Sequence, residues 1–327
     1  MKRVLLDSYG DPPNGLRCAE VPALPAPRDD QVLFDVRLYP INPADINFCQ
    51  GSYRLRPELP ATPGAECVGV VSAVGPKVTR FAPGDRVINL QRENWAQQRL
   101  VREVDLVRVP EGIADEQAAM LRINPPTASL LLSDIVSLES GDWVVQDVAN
   151  SAVGRWIIRL AARRGLRTIN VVRREALFPM LKALGADACV VDGPDLGERI
   201  RAATGGVAPA LGIDAIGGAA SVRIADSIRD GGTLACYGAM SGEPPSVTYA
   251  NLLYRNVALR GFVLGNYLAR RDAAQIEALY AGLATMLADG SLSVPVERIY
   301  PIEEIREAVA HAMRGERGGK ILVSPNA

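Results

Sequence analysis

Between residues 144 and 264 short apolar runs alternate with stretches of helical period. The runs are VVQDV (144–148), TINVV (168–172), ACVVD (188–192), LGIDAI (211–216), TLACYG (233–238) and LRGFVL (259–264), and their starts are 24, 20, 23, 22 and 26 residues apart. That spacing predicts strands of a parallel sheet with a helix in each crossover. Between the first two runs, Val153, Trp156, Ile157, Leu160 and Ala161 recur at i, i+3, i+4, i+7 and i+8, while Arg155, Arg159 and Arg163 take the opposite face. Leu177, Met180, Leu181 and Leu184 repeat the pattern until Gly185 stops it. Six such strands predict a doubly wound α/β fold.

The first 120 residues read differently. QVLFDVRLY (31–39) alternates, with Val32, Phe34, Val36 and Leu38 on one face, and CVGVVSAVG (67–75) and DRVINL (85–90) are further strands between Pro and Gly turns. This predicts an irregular, mainly antiparallel β region. A helix is expected over about 272–290, with Ile276, Leu279, Tyr280, Leu283 and Leu287 in register. SVPVERIYPIEEI and GGKILV then form one more β-α-β excursion.

Composition narrows the chemistry. With 327 residues, 48% hydrophobic and 22% charged, the chain suits a two-domain globular protein. Its net charge of -1 points to neither a nucleic-acid nor a membrane partner, and no apolar run approaches a spanning length. The opening MKRVLLDSYGD has neither a secretory nor a transit pattern, so a cytoplasmic location is expected. The five cysteines, Cys18, Cys49, Cys67, Cys189 and Cys236, form no C-x-x-C pair, which argues against a disulfide framework or a thiolate zinc knot. A single histidine, His311, excludes a three-histidine metal site and reads as a surface or packing residue.

The turn after the first parallel strand, VANSAVG, carries Ala149, Ser151 and Gly154 where a dinucleotide loop usually has three glycines. Small residues and a helix N-terminus still suit an anion. The next strand ends in Arg173 and Arg174, not in the acidic residue that binds a ribose 2′-hydroxyl. Guanidinium groups there suit a 2′-phosphate, so the expected cofactor is NADPH.

INPADINFCQGSY (41–53), PGAECVGVVSAVG (63–75), INPPTA (123–128), QDVANSAVG (146–154), LRTINVVRR (166–174), GGTLACYGAM (231–240), LRGF (259–262) and GGKIL (318–322) span nearly the whole chain. Together they resemble the medium-chain dehydrogenase/reductase superfamily, and within it the zinc-free mitochondrial-type 2-enoyl thioester (trans-2-enoyl-CoA/acyl-carrier-protein) reductases. The resemblance implies a GroES-like, mainly antiparallel β catalytic domain (1–121 and 266–327) around a doubly wound parallel-sheet Rossmann domain (122–265). It implies NADPH contacts from Asn124, Asn150, Ser151, Ala152, Val153, Arg173, Arg174, Glu175, Tyr237, Gly238, Ala239, Met240, Phe262, Val263, Leu264 and Lys320. Tyr53 matches the family's proton donor, and Asn47, Trp95 and Val263 are implied to line the substrate pocket. The sequence departs from the family at Val263, where Trp is usual, at Ala96 and Gln97, and at Glu175, where a basic residue is usual.

The zinc enzymes of the superfamily bind metal through Cys, His and Glu. Here the corresponding segments are INPAD and GAEC, with Ala65 in the histidine position, so no metal is expected. A conjugated C=C–C=O can be reduced without one: hydride adds at the β-carbon, the enolate is held by backbone donors, and a proton goes to the α-carbon. The reading is an NADPH-dependent reductase of activated C=C bonds, with 2-enoyl thioesters as the first substrate class. An NADPH:quinone oxidoreductase is the alternative, and a non-catalytic NADPH- or RNA-binding protein is a third. The apolar LRGFVL run, at the end of the predicted sheet, suggests a homodimer.

Overall fold

All six apolar runs of the second region are parallel strands of one sheet. Their spatial order is Ala188–Val191, Arg167–Val172, Trp143–Gln146, Leu211–Asp214, Thr233–Cys236 and Ala258–Gly261. Numbered along the chain this is 3-2-1-4-5-6, the doubly wound order whose reversal lies between Trp143–Gln146 and Leu211–Asp214. The structure is a computed structural model and describes residues 1–326. The four inner strands are buried along most of their length, which is why they read as continuous apolar runs. The predicted helix with the Trp156 face spans Ala152–Arg163 and buries Val153, Trp156, Ile157, Ile158 and Ala161.

The first region holds a second sheet. Gln31–Pro40 pairs antiparallel with Val68–Val74 and with Gln98–Arg102, and Val32, Phe34, Val36 and Leu38 are buried as the alternation requires. Arg86–Asn89 and Leu106–Arg108 extend it. From the far end of the sequence, Lys320–Ser324 pairs antiparallel with Gln31–Pro40 and parallel with Val296–Pro301. A separate pair, Lys2–Leu6 with Leu16–Glu20, has no counterpart in the sequence reading.

The chain divides into Met1–Ile123 with Ala273–Ala327, and Asn124–Asp272. The second division lies seven residues beyond the expected position 265. The short helix Leu264–Leu268 belongs to the parallel-sheet unit, because Tyr267 stacks on Phe262 at 4.5 Å and Arg271 pairs with Asp134 at 2.7 Å. The five cysteines are all free thiols. His311 is partly buried, with Nδ1 2.9 Å from the Tyr300 hydroxyl and Nε2 2.9 Å from Glu297. No helix among the described residues is long and apolar enough to cross a membrane.

Candidate active site

Of the predicted residues, Asn47, Tyr53, Trp95 and Lys320 lie in the first unit and the rest in the second. In the second unit, Val148 turns the chain out of the Trp143–Gln146 strand at φ 45°, a left-handed value that strains a β-branched residue. The Val148 carbonyl accepts the Ser151 amide at 2.8 Å, and Ala149 N–H donates to Val171 at 3.3 Å. Ser151 caps the helix Ala152–Arg163, its hydroxyl accepting the Gly154 amide at 3.1 Å. Gly154 is compulsory, because a Cβ there would stand 2.5 Å from the Ala149 carbonyl oxygen. So one glycine of the usual motif keeps its role, and the position that would gain most from glycine is Val148.

The other residues expected at the cofactor surround this turn in the second unit. Tyr237 donates its amide to Asp214 at 2.9 Å and hydrogen-bonds Ser151 through its side chain. Gly238 packs on Ala215, Met240 donates to Ala215 at 3.0 Å, and Ala239 accepts the Gly242 amide at 3.0 Å. Asn150 is exposed, and its carbonyl accepts Arg155 at 3.1 Å. Phe262 is buried, whereas Val263 and Leu264, which begin the next helix, are at least partly exposed. Asn124 opens the helix Asn124–Ser133 with a buried side-chain amide nitrogen that has no hydrogen-bond partner. Arg173 and Arg174 are exposed and, with Glu175, Phe178 and Arg199, border a cavity of about 840 Å³. An orphaned amide, a helix N-terminus that Gly154 lets pack close to the strand, and arginines beside a cavity all fit a phosphorylated dinucleotide.

In the first unit the helix Pro43–Gln50 begins with Pro43 at its first position and a capping box. The Asp45 carboxylate accepts the Asn42 amide at 3.0 Å and, from outside the helix, the Ala65 amide at 2.9 Å. At its other end Gly51 adopts φ 77°, and the Asn47 carbonyl accepts the amides of Ser52 at 3.0 Å and Tyr53 at 3.1 Å. Asn47 therefore places Tyr53 through its backbone. Tyr53 is half-buried, with the Arg92 guanidinium 4.9 Å from its ring centre. Trp95 is wholly buried and stacks on Tyr39 at 5.7 Å, supporting its loop from beneath and offering no surface itself.

Below lies a buried polar cluster. Asn42 donates to Glu66 at 2.7 Å and accepts the Lys320 ammonium, and Glu66 also accepts the Ile123 amide at 2.9 Å. Arg122 donates to the carbonyls of Ala65 and Leu90. Burial pushes the Glu66 carboxyl up to about 7 against the pull of Lys320, Asn42 and Arg122, and burial likewise raises Asp45. Lys320 thus meets protein groups at its ammonium. Asp45 and Glu66, in the segments that carry zinc ligands in metal-dependent relatives, are engaged by backbone amides and Asn42. Among the described residues, no three His, Cys, Asp or Glu side chains are grouped to hold a metal ion.

Residues 28–111 match the alcohol dehydrogenase GroES-like domain family and residues 152–281 the zinc-binding dehydrogenase family. The mitochondrial enoyl-[acyl-carrier-protein] reductase of Arabidopsis thaliana is 35% identical over 319 residues, covering 95% of this chain and 84% of its own. The chain belongs to the medium-chain dehydrogenase/reductase superfamily. The Homo sapiens mitochondrial enoyl-[acyl-carrier-protein] reductase is 33% identical over 96% of this chain and 86% of its own. A quinone oxidoreductase structure from Pseudomonas syringae superposes with a TM-score of 0.88 at 26% identity, covering 99% of each chain. The chain is an oxidoreductase of this superfamily.

The sequence reading passed over one feature of the dinucleotide turn. Asp147 and Asp214, at the ends of the two strands that flank the reversal, are a buried carboxyl pair whose acidities are pushed in opposite directions. Asp147 is buried and close to Asp214, and both effects hold its carboxyl well above the ordinary aspartate range. Asp214 is also buried, yet hydrogen bonds from Asp147, Gly217, Ser221 and Ile216 hold it below that range. Asp147 is therefore the weaker acid of the pair and Asp214 the stronger. An acid whose folded value is raised contributes full stability below its unfolded value of about 4, and that contribution falls as pH climbs toward the folded value. Asp147→Asn keeps a donor to Asp214 and removes the titration. Its melting temperature relative to the unmodified protein should rise between pH 5 and pH 8 by at least the roughly 2–4 °C that about 1 kcal/mol produces. Parallel melting curves at the two pH values check this, and a constant difference would contradict the upward shift of Asp147.

Proposed function

We propose that this protein is an NADPH-dependent reductase of activated C=C bonds whose substrates are 2-enoyl thioesters. The observation that carries the reading is the likeness to enoyl-[acyl-carrier-protein] reductases over 95% of the chain. Tyr53, fixed on a helix cap and partly open to solvent, supports it. NADPH supplies a hydride when bound. Arg173 and Arg174 would hold its 2′-phosphate, and the amides at the Ser151 cap would hold its pyrophosphate. The substrate β-carbon accepts the hydride, the C=C electron pair moves to the thioester carbonyl as an enolate, and Tyr53 gives its phenolic proton to the α-carbon. Water then returns a proton to Tyr53. A phenol, with a pKa of about 10 in free solution, is protonated at neutral pH. In this proposal the reaction is metal-independent, and the protein is cytoplasmic.

The second reading, quinone reduction, is favoured by the likeness to the Pseudomonas syringae quinone oxidoreductase and by Val263, which leaves a bulky family position small. The two readings part at Tyr53, because a reduced quinone oxygen takes its proton from water. Tyr53→Phe should lower kcat on crotonyl-CoA by about 10²–10⁴-fold with NADPH affinity nearly unchanged, and should leave benzoquinone turnover intact. Assays run with and without a chelator should agree. Crotonyl-CoA turnover within about twofold of the unmodified enzyme would remove the donor role.

Replacing Arg173 and Arg174 together with Ala should weaken NADPH binding by about tenfold or more and leave NADH nearly unaffected, since charge-assisted bonds to a phosphate are each worth about 1.4 kcal/mol or more. Calorimetric titration of both cofactors checks this, and equal affinity for NADPH and NADH in the unmodified protein would count against the clamp.

A homodimer belongs to the same proposal. The edge strand Ala258–Gly261 is exposed at every residue. Beside it in sequence, Tyr249, Leu252, Leu253 and Tyr254 are 69%, 50%, 69% and 76% exposed. Such an apolar edge is stabilised by pairing with a second copy about a two-fold axis. Sedimentation at micromolar concentration should give twice the chain mass, and Leu253→Lys with Tyr254→Lys should shift it toward monomer. A monomeric unmodified protein would refute the assembly.

A further inference from the structure

Arg92 has no place in the sequence reading as a site residue, yet its guanidinium lies over the Tyr53 ring. Its guanidinium stands 4.9 Å from the centre of Tyr53, 5.5 Å from that of Phe48 and 3.8 Å from the Asp45 carboxylate. The last distance makes an ion pair and not a hydrogen bond. Asp45 is already engaged by the amides of Asn42 and Ala65, so it balances the charge of Arg92 without occupying its donors. Among the described residues the guanidinium donates no hydrogen bond, and its Nη2 is buried without a partner. Leaving such a donor unmet costs free energy that a ligand oxygen would recover.

The loop around Arg92 is held in place. The Arg92 carbonyl accepts Arg99 at 3.0 Å, and Asn94 bonds the Gln91 carbonyl at 2.7 Å and the Asn89 amide at 2.7 Å. Glu93 beside it has φ 67°, a strained value for a residue with a side chain, and its own carboxylate turns to Arg99 at 3.1 Å. Close approach of this loop to Gly64 is also required, because a Cβ at Gly64 would lie 2.6 Å from Trp95. The side chain is thus presented, with strain retained in the backbone, beside the tyrosine. The charges underneath are unequal: Arg92, Arg122 and Lys320 face only Asp45 and Glu66.

We propose that Arg92 is a catalytic residue that receives the anionic oxygen of the acyl substrate beside Tyr53. The inference rests on the reductase reading above. Two sources supply such an oxygen: the enolate that forms when hydride reaches the β-carbon, or a permanent carboxylate carried on the acyl chain. In the first case the C=C pair becomes the C–O⁻ charge, Arg92 N–H groups hydrogen-bond it, and the proton from Tyr53 discharges it at the α-carbon. In the second a bidentate fork holds the carboxylate throughout.

The test compares Arg92→Leu and Arg92→Lys with the unmodified enzyme on crotonyl-CoA and glutaconyl-CoA, which differ by a terminal carboxylate. An enolate role predicts that kcat on crotonyl-CoA falls by about 10²–10³-fold in Arg92→Leu with KM within threefold, that Arg92→Lys retains part of the rate, and that added guanidinium ion restores part of it. A carboxylate role predicts a KM raised by about tenfold or more on glutaconyl-CoA alone. Rates on both substrates within threefold of the unmodified enzyme, in a variant whose melting temperature is unchanged, would overturn the proposal. If the unmodified enzyme reduces neither thioester, the reductase reading fails by itself. Calorimetric binding of glutarate then decides the anion site: an affinity lost in Arg92→Leu upholds it, and no binding or an equal affinity refutes it.

Discussion

The side-chain amide of Asn42 is the joint on which the first unit's site depends. Its nitrogen donates to Glu66 and its oxygen accepts Lys320, so one small group ties the start of a helix, a strand turn and a strand almost 280 residues away. The same residue caps the helix Pro43–Gln50, whose far end places Tyr53. Buried charges are tolerated only when every one is met, and removal of one partner strands the others. The C-terminal strand closes the first sheet for this reason as much as for its pairing with Gln31–Pro40. The tyrosine is thus positioned by a chain of buried contacts that begins at Lys320.

The dinucleotide turn solves a different problem with the same means. A turn poor in glycine must still bring helix and strand together, and Gly154 alone makes that approach possible. The remaining strain falls on Val148, and it is held by what surrounds it: the Ser151 cap, the Val171 carbonyl and the carboxyl pair directly before and across from it. A raised Asp147 beside a lowered Asp214 lessens the negative charge beneath the turn proposed to meet phosphate. Two carboxylates there would oppose the ligand that the helix N-terminus attracts.

Much of this was legible in the chain. The 20–26-residue spacing of apolar runs gave every strand of the six-stranded parallel sheet, and period two gave Gln31–Pro40, because burial on both faces or on one face leaves a direct pattern in sequence. The pair Lys2–Leu6 with Leu16–Glu20 was missed because its strands are short and their connection carries the short helix Pro12–Gly15 where a tight hairpin turn would mark the pairing. Tyr53, Arg173 and Arg174 were singled out through motif. Asp147 and Arg92 were not, although both lie in stretches singled out for other residues. An aspartate or arginine in a loop reads as solvated until its neighbours are known, and those neighbours are Asp214 and Tyr53, distant in sequence in both cases. Trp95 shows the converse: a motif gave it a place in the pocket, whereas the fold uses it as a core ring under the loop.

The asymmetry of the Asp45–Arg92 pair carries the argument one step further. A buried ion pair in which both partners are fully hydrogen-bonded is closed to a ligand. Here the acid is satisfied by backbone amides that the helix cap and Ala65 supply, so it fixes a counter-charge without closing the base. The base lies over the Tyr53 ring, 4.9 Å from its centre, and its buried Nη2 has no hydrogen-bond partner. In superfamily members that rely on zinc, a cation polarises the substrate oxygen next to these same segments. In this chain Ala65 offers no ligand atom and the two carboxyls are engaged, so a fixed guanidinium is the cation that the first unit places beside its tyrosine. An arginine suits that task better than a lysine, since its charge persists when partly buried and its geometry leaves donors available after one face has stacked on a ring.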